Sequence, residues 1–153
     1  MINKIEDKKL SLKIQKYWLK KGNIRNHVLV VMALRTEFKM VELLRLRWSE
    51  VYDERKGEFK PSVKVLKGRV HARLKTIDLS RMVIKALALY YPEREGELIF
   101  QSRHKDRSIN RIQAWRIISE AIDEYVPKEE DLYQEAQSVC YLAADEYVPE
   151  EEE

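Results

Sequence analysis

The chain has 153 residues, 44% of them hydrophobic and 36% charged, with only 4 glycines and 4 prolines, which excludes collagen-like, linker-like and wholly disordered classes and suits one domain with a modest core. Its net charge of +3 conceals an asymmetry: residues 1–118 carry 28 lysines and arginines against 13 acids, a net +15, and residues 119–153 carry one lysine against 13 acids, a net −12. The longest apolar run, Val28 to Leu34, falls far short of the ~20 residues that cross a bilayer, and Met1 to Leu12 is too charged for a signal peptide, so a cytoplasmic protein without a membrane partner is expected.

In chain order, a basic amphipathic helix places Leu10, Ile14, Tyr17 and Trp18 on one face and ends at Lys20 to Gly22. His27 to Leu34 is apolar almost all round, which predicts a buried central helix. A second helix from Met40 carries Val41, Leu43, Leu44 and Leu46 before Trp48. Val63 and Val65 then alternate with Lys64, a turn falls at Lys67-Gly68, and Val70, Ala72 and Leu74 alternate with His71 and Arg73, continuing through Thr76 to Leu79. That pattern predicts a two- or three-stranded antiparallel ribbon.

Ser80 is placed to cap a helix through Tyr91, Pro92 to Gly96 forms a turn, and Leu98 to Phe100 is extended. Ser108 then caps a helix through Tyr125 that Pro127 closes. Beyond Glu129 a weak helical face (Leu132, Ala136, Cys140, Ala143) precedes the acidic end, and Asp-Glu-Tyr-Val-Pro occurs twice, at 123–127 and 145–149. The expected fold is α+β, mainly helical, with one basic domain over 1–126 and an acidic C-terminal helix and tail over 127–153. Cys140 is the single cysteine, and His27, His71 and His104 lack ligand spacing. Neither a disulfide, a metal site nor a cofactor is expected.

The string MALRTEFKMVELLRLRWSEV, Met32 to Val51, resembles the first conserved block of the tyrosine recombinase (phage integrase) catalytic domain, roughly TGLRISELLALRWSDI. Glu42, Leu43, Leu44, Leu46, Arg47, Trp48, Ser49 and Val51 carry the match. Lys75 to Ser80 (KTIDLS) is similar to that family's "RTVPLS", and Leu98 to Ile118 to "LFPSRKGKPISRQTAWRIL", so the resemblance spans roughly residues 10–122.

The resemblance implies a helical domain with a small ribbon, acting on DNA. In that family two arginines and a histidine clamp the phosphate, a ribbon lysine serves as general acid and a tyrosine attacks. Charged guanidinium forks suit a transition state whose negative charge spreads over non-bridging oxygens. Here the ungapped position of the first arginine is Lys39, which keeps the charge and loses the planar fork. Arg35 lies one helical turn away as a partial substitute. The ribbon lysine is Lys67, or Lys64 in the alternative register. No His or Arg follows Arg116, so a His-x-x-Arg helix is lacking, and Tyr125, Tyr133, Tyr141 and Tyr147 sit among acids that repel phosphate.

No catalytic residue is therefore assigned. The expectation is a non-catalytic, integrase-like protein that binds double-stranded DNA, either a truncated recombinase or a regulator. Phosphate contacts fall on Arg35, Lys39, Lys64, Lys67, Arg69, Arg103, Lys105, Arg107 and Arg111. Trp48, Trp115 and His27 read as core or near-core positions, and His104 as a loop polar group. The alternatives are a protein-interaction module using the acidic tail, with homo-oligomerisation through the C-terminal segment, or a recombinase fragment completed by another polypeptide.

Overall fold

In this computed structural model the described residues are 7–67, 73–104 and 107–126, with Lys67 described by its backbone alone. The first helix, α1 (Lys8–Lys20), starts where Asp7 accepts the backbone N–H groups of Lys9 and Leu10. It stops at Gly22, whose φ of 83° allows the N–H of Gly22 to reach the carbonyl of Leu19, and that of Asn23 the carbonyl of Trp18, both at 3.0 Å. This paired closure satisfies two of the helix's last carbonyls. Asn23 then caps α2 (Ile24–Arg35) through the Asn26 N–H, so the central helix begins three residues before the expected His27.

From Asn26 to Leu34 every residue of α2 is buried. Around it pack α1, α5 (Arg81–Tyr90) and α6 (Arg111–Tyr125). The outer seam between α1 and α6 is polar: the Tyr17 hydroxyl donates to Glu120 at 2.7 Å, and Trp18 Nε1–H to the Ile117 carbonyl at 2.9 Å.

The single helix expected from Met40 is two short ones, α3 (Met40–Leu44) and α4 (Trp48–Val51). The cause is tertiary. Leu46 is drawn out of the helix because its carbonyl accepts the Ile99 N–H, while the Trp48 N–H donates to the Glu97 carbonyl and Arg47 bridges Leu98. Each fragment is recapped by its own acid, since Glu42 accepts the Lys39 N–H at 2.9 Å and Glu50 the Arg47 N–H at 2.8 Å. Trp48 is buried as expected, and Trp115 is partly buried against the core. The Trp48 indole N–H is buried without a hydrogen-bond partner, a local cost of ~1–3 kcal/mol.

A hairpin absent from the sequence expectations follows: β1 (Tyr52–Asp53) pairs antiparallel with β2 (Glu58–Phe59). Gly57, with φ of 68°, and the Asp53 carboxylate, which accepts from Arg55 and Lys56 N–H, shape its turn. Tyr52, Phe59, Tyr91 and Trp48 form one aromatic cluster, with centroids 4.4–5.8 Å apart where their rings meet.

The expected antiparallel ribbon is β3 (Ser62–Lys67) with β4 (Arg73–Asp78). Its register settles which face is inward. Leu74 faces Leu66 on the exposed side, because the buried pair is Val63 with Ile77. Gly68, Val70 and Ala72 lie outside the described residues. Ser80 caps α5 as expected, which ends at Tyr90 and continues as a 3-10 turn, Tyr91–Glu93. Ile99 and Phe100 are wholly buried. The cap of α6 is Asn110 rather than Ser108, since Ser108 is held in a bridge to Gln101. The architecture is thus α+β with small antiparallel sheets. The acidic segment 127–153, with its expected helical face and Pro127 stop, lies outside the described residues. Among those described, no helix is long and apolar enough to cross a membrane.

Leu43 is 1% exposed, and Leu43→Ala should cost ~2–5 kcal/mol in chemical denaturation, as for other buried leucines. Gly22→Ala should cost less, ~1–2 kcal/mol, because a Cβ there meets nothing within 4 Å and only the left-handed backbone opposes it.

His27 supplies a pH-dependent test. Its Nδ1 lies 2.6 Å from the Gln15 carbonyl, which can only accept, so Nδ1 carries the proton. Burial holds the imidazole pKa below its ordinary 6.5 despite that bond. The unfolded chain then binds more protons than the folded one just below pH 6.5, so this contribution is complete above that value and is lost as the pH falls. Melting temperatures measured across that window should decline with acidification, and His27→Gln should flatten the decline.

Candidate nucleic-acid interface

The segment after Phe100 is a tightly closed loop. Its base is fixed by Ile109 N–H donating to the Phe100 carbonyl at 2.9 Å and by Ser102 N–H donating to the Arg107 carbonyl at 2.8 Å. Its tip is held by the Ser102 hydroxyl, which donates to the His104 carbonyl and accepts the His104 N–H. With Ile99, Phe100 and Ile109 buried beneath, Arg103 and Arg107 can only project outward, and both are exposed.

Two helices complete the site. Asn110 and Gln113 cap α6 reciprocally, at 2.8 and 3.0 Å, and the spacing of Asn110, Gln113, Arg116 and Ile117 puts them on one helical face. From the first turn of α2, Arg25 donates to the Gln101 carbonyl at 2.9 Å and to Asn26 Oδ1 from two nitrogens, at 2.9 and 3.1 Å. Burial lowers the Arg25 pKa, yet a guanidinium stays protonated at neutral pH.

These elements enclose a cleft of about 680 Å³ lined by Arg25, Arg103, Arg107, Arg116 and His104 with Ser102, Ser108, Asn110 and Gln113, and no described lining residue is acidic. Such a site attracts anions: guanidinium forks match phosphate oxygens bidentately, and the first N–H groups of a helix as long as α6 favour negative charge. By contrast, the cleft of about 380 Å³ beside Trp48, Tyr52 and Tyr91 sets Asp53, Glu54 and Glu97 against Arg55, Lys60 and Arg94 and presents no charge excess. Among the described residues, no group of three or more His, Cys, Asp or Glu could hold a metal ion.

The expected phosphate contacts are distributed unevenly. Arg103 and Arg107 meet in the cleft, and Arg111 opens α6 beside it. Arg35 stands at the other end of α2 from Arg25, ~15 Å along the helix axis, with its Nε donating to Gln15 Oε1 at 2.8 Å. Lys39 is the cap of α3 and partly buried, and Lys64 is exposed on the outer face of the ribbon. Lys67 pairs by its backbone with Arg73, whereas Arg69 and Lys105 lie outside the described residues.

Sequence reasoning did not select Arg25, Arg116 or His104 as contacts. Arg116 had a signal in its spacing from Asn110 and Gln113. Arg25 had none, because only the tertiary fold brings α2 to the loop. Lys75 was also passed over. It forms an ion pair with Glu42 at 3.3 Å, so one carboxylate both caps α3 and ties it to β4. No family model, curated protein or solved structure matches the chain.

Proposed function

We propose that this protein binds double-stranded DNA through the arginine cleft and does not cleave it. The observation that carries the proposal is the convergence of four arginines and a histidine from α2, the 101–110 loop and α6 on one concavity without a described acid. A body of net +15 over residues 1–118 supplies the longer-range field that steers a polyanion toward it. The resemblance of Met32–Val51 and Leu98–Ile118 to tyrosine recombinases supports DNA over other polyanions. Lys39 in place of the first arginine supports binding without phosphodiester chemistry, because lysine lacks the planar fork that clamps a phosphate bidentately.

Binding of a short fluorescent duplex should weaken steeply between about 50 and 200 mM salt. Replacing Arg103, Arg107 and Arg116 together with Gln should lower the slope of log affinity against log salt by about 2–3, close to 0.9 for each lost phosphate contact. An unchanged slope would remove the cleft from the interface. On a nicked suicide substrate, a denaturing gel should show no covalent protein–DNA band; a band abolished by replacing one tyrosine would reverse the non-catalytic reading and identify the nucleophile.

The charge asymmetry supports a regulatory role for the acidic segment. Residues 119–153, at net −12, compete with phosphate for the basic body, within one chain or between copies. Removing residues 127–153 should tighten DNA binding, most at low salt, where the screening length is ~30 Å at 0.01 M against ~10 Å at 0.1 M. Equal affinities at both salt concentrations would leave the segment without that role.

A further inference from the structure

Helices α1 and α5 both pack on α2, and a mostly apolar groove of about 400 Å³ lies between them. Its walls match. Leu12, Lys16 and Leu19 of α1 share one helical face, as do Met82, Lys85 and Leu89 of α5, and α2 contributes Val31. Leu12, Met82 and Leu89 are 36%, 37% and 46% exposed, and apolar side chains gathered in this way at a surface mark a place where something binds. Apart from the His27 imidazole, the titratable side chains lining the groove are Lys16 and Lys85.

We infer that residues 132–146 of the same chain seat in this groove as a third helix. In the sequence Leu132, Ala136, Val139 and Ala143 recur at intervals of four, three and four, the apolar stripe of a helix, with Glu135 and Glu146 along its edge. Lengths agree: Leu12 to Leu19, Met82 to Leu89 and Leu132 to Val139 each cover ~10 Å of helix axis. Reach allows it, because α6 ends beside α1, where the Tyr125 and Tyr17 ring centroids are 6.2 Å apart. From there residues 127–131 can span ~17 Å, more than the ~10–12 Å width of a helix. Charge selects this occupant. Residues 127–153 carry one lysine against ten acids, which complement Lys16, Lys85 and the exposed Lys13 and Lys20 of α1. A second copy meeting the groove with its own would set lysine against lysine, and residues 1–6 carry one lysine and one glutamate, so neither offers that complement. The inference does not depend on the DNA-binding function.

Cys140, the single cysteine, adjoins that stripe and reports on it. The full-length chain and its variant Lys16→Glu/Lys85→Glu are labelled with a maleimide at one pH, at low salt and without DNA. Both lysines are exposed, so the exchange turns the groove against an acidic segment and leaves the core untouched. Wild-type Cys140 should react about tenfold more slowly than Cys140 of the variant, the ratio for a segment seated about nine-tenths of the time. Adding Glu135→Lys/Glu146→Lys to the variant should restore the slow rate, because opposite charges meet again. A second readout leaves the charges alone. Leu12→Cys or Leu89→Cys, one on each wall, should form an intramolecular disulfide with Cys140 under oxidised glutathione, and Val41→Cys, exposed on α3, should not.

Equal labelling of the wild type and the lysine-reversed variant, or no return of protection in the charge-exchanged one, would overturn the inference. So would cross-linking at Val41→Cys as fast as at the groove. A disulfide joining two chains in place of one within a chain would assign the groove to a neighbouring copy's segment and overturn the intramolecular seat. None of these readouts involves DNA, so a negative result here leaves the DNA-binding function standing, and failure to bind DNA leaves this inference standing.

Discussion

A helix with no polar face cannot sit at a surface. Because α2 is buried from Asn26 to Leu34, it must be enclosed on every side, and α1, α5 and α6 are the enclosure. The polar groups caught inside are each satisfied locally. Asn26 accepts from Arg25, His27 bonds the Gln15 carbonyl, and the Thr36 hydroxyl donates to the Met32 carbonyl at 2.6 Å. Charge is thereby confined to the helix ends, with Arg25 at one and Arg35 at the other. The site at the first end thus follows from the apolar character of the helix between them.

The arginine cleft gains its definition from the bonds that flank it. The 101–110 loop is closed by its own backbone bonds over buried aliphatic and aromatic side chains, and Arg25 is tethered to the loop and to its own helix. A guanidinium held in this way loses less conformational freedom on meeting an anion than a free surface arginine would. Like charges gathered with no acid among the described lining residues repel one another, and an anion relieves that repulsion.

Much of the fold was legible because periodicity dominates where one face is buried. The apolar run of α2, the Ile14 and Tyr17 face of α1 and the antiparallel ribbon between Val63 and Leu79 are all found where the hydrophobic pattern puts them. What was not legible depended on partners distant in sequence. The break between α3 and α4 is made by Glu97, Leu98 and Ile99, so no local residue announces it. The same contacts hold the expected extended segment at Leu98 in an isolated bridge to Arg47. In the candidate site, Arg103 and Arg107 were visible as a basic loop, whereas Arg25 is recruited across 76 positions by the Gln101 carbonyl. The outward placement of Leu74 was not legible because alternation fixes which residues share a face and leaves open which face is inward.

The polar seam between α1 and α6 also bears on how the chain reaches this fold. Its two bonds join residues 103 and 99 positions apart, so the first described helix finds its final partner only after nearly everything between them has been made. During synthesis α2 emerges with one flank uncovered and remains so until α6 arrives. Non-local closure of this kind slows folding and leaves apolar surface open to unwanted association. A ribosome-bound chain halted before Arg111 would be the species most in need of a chaperone.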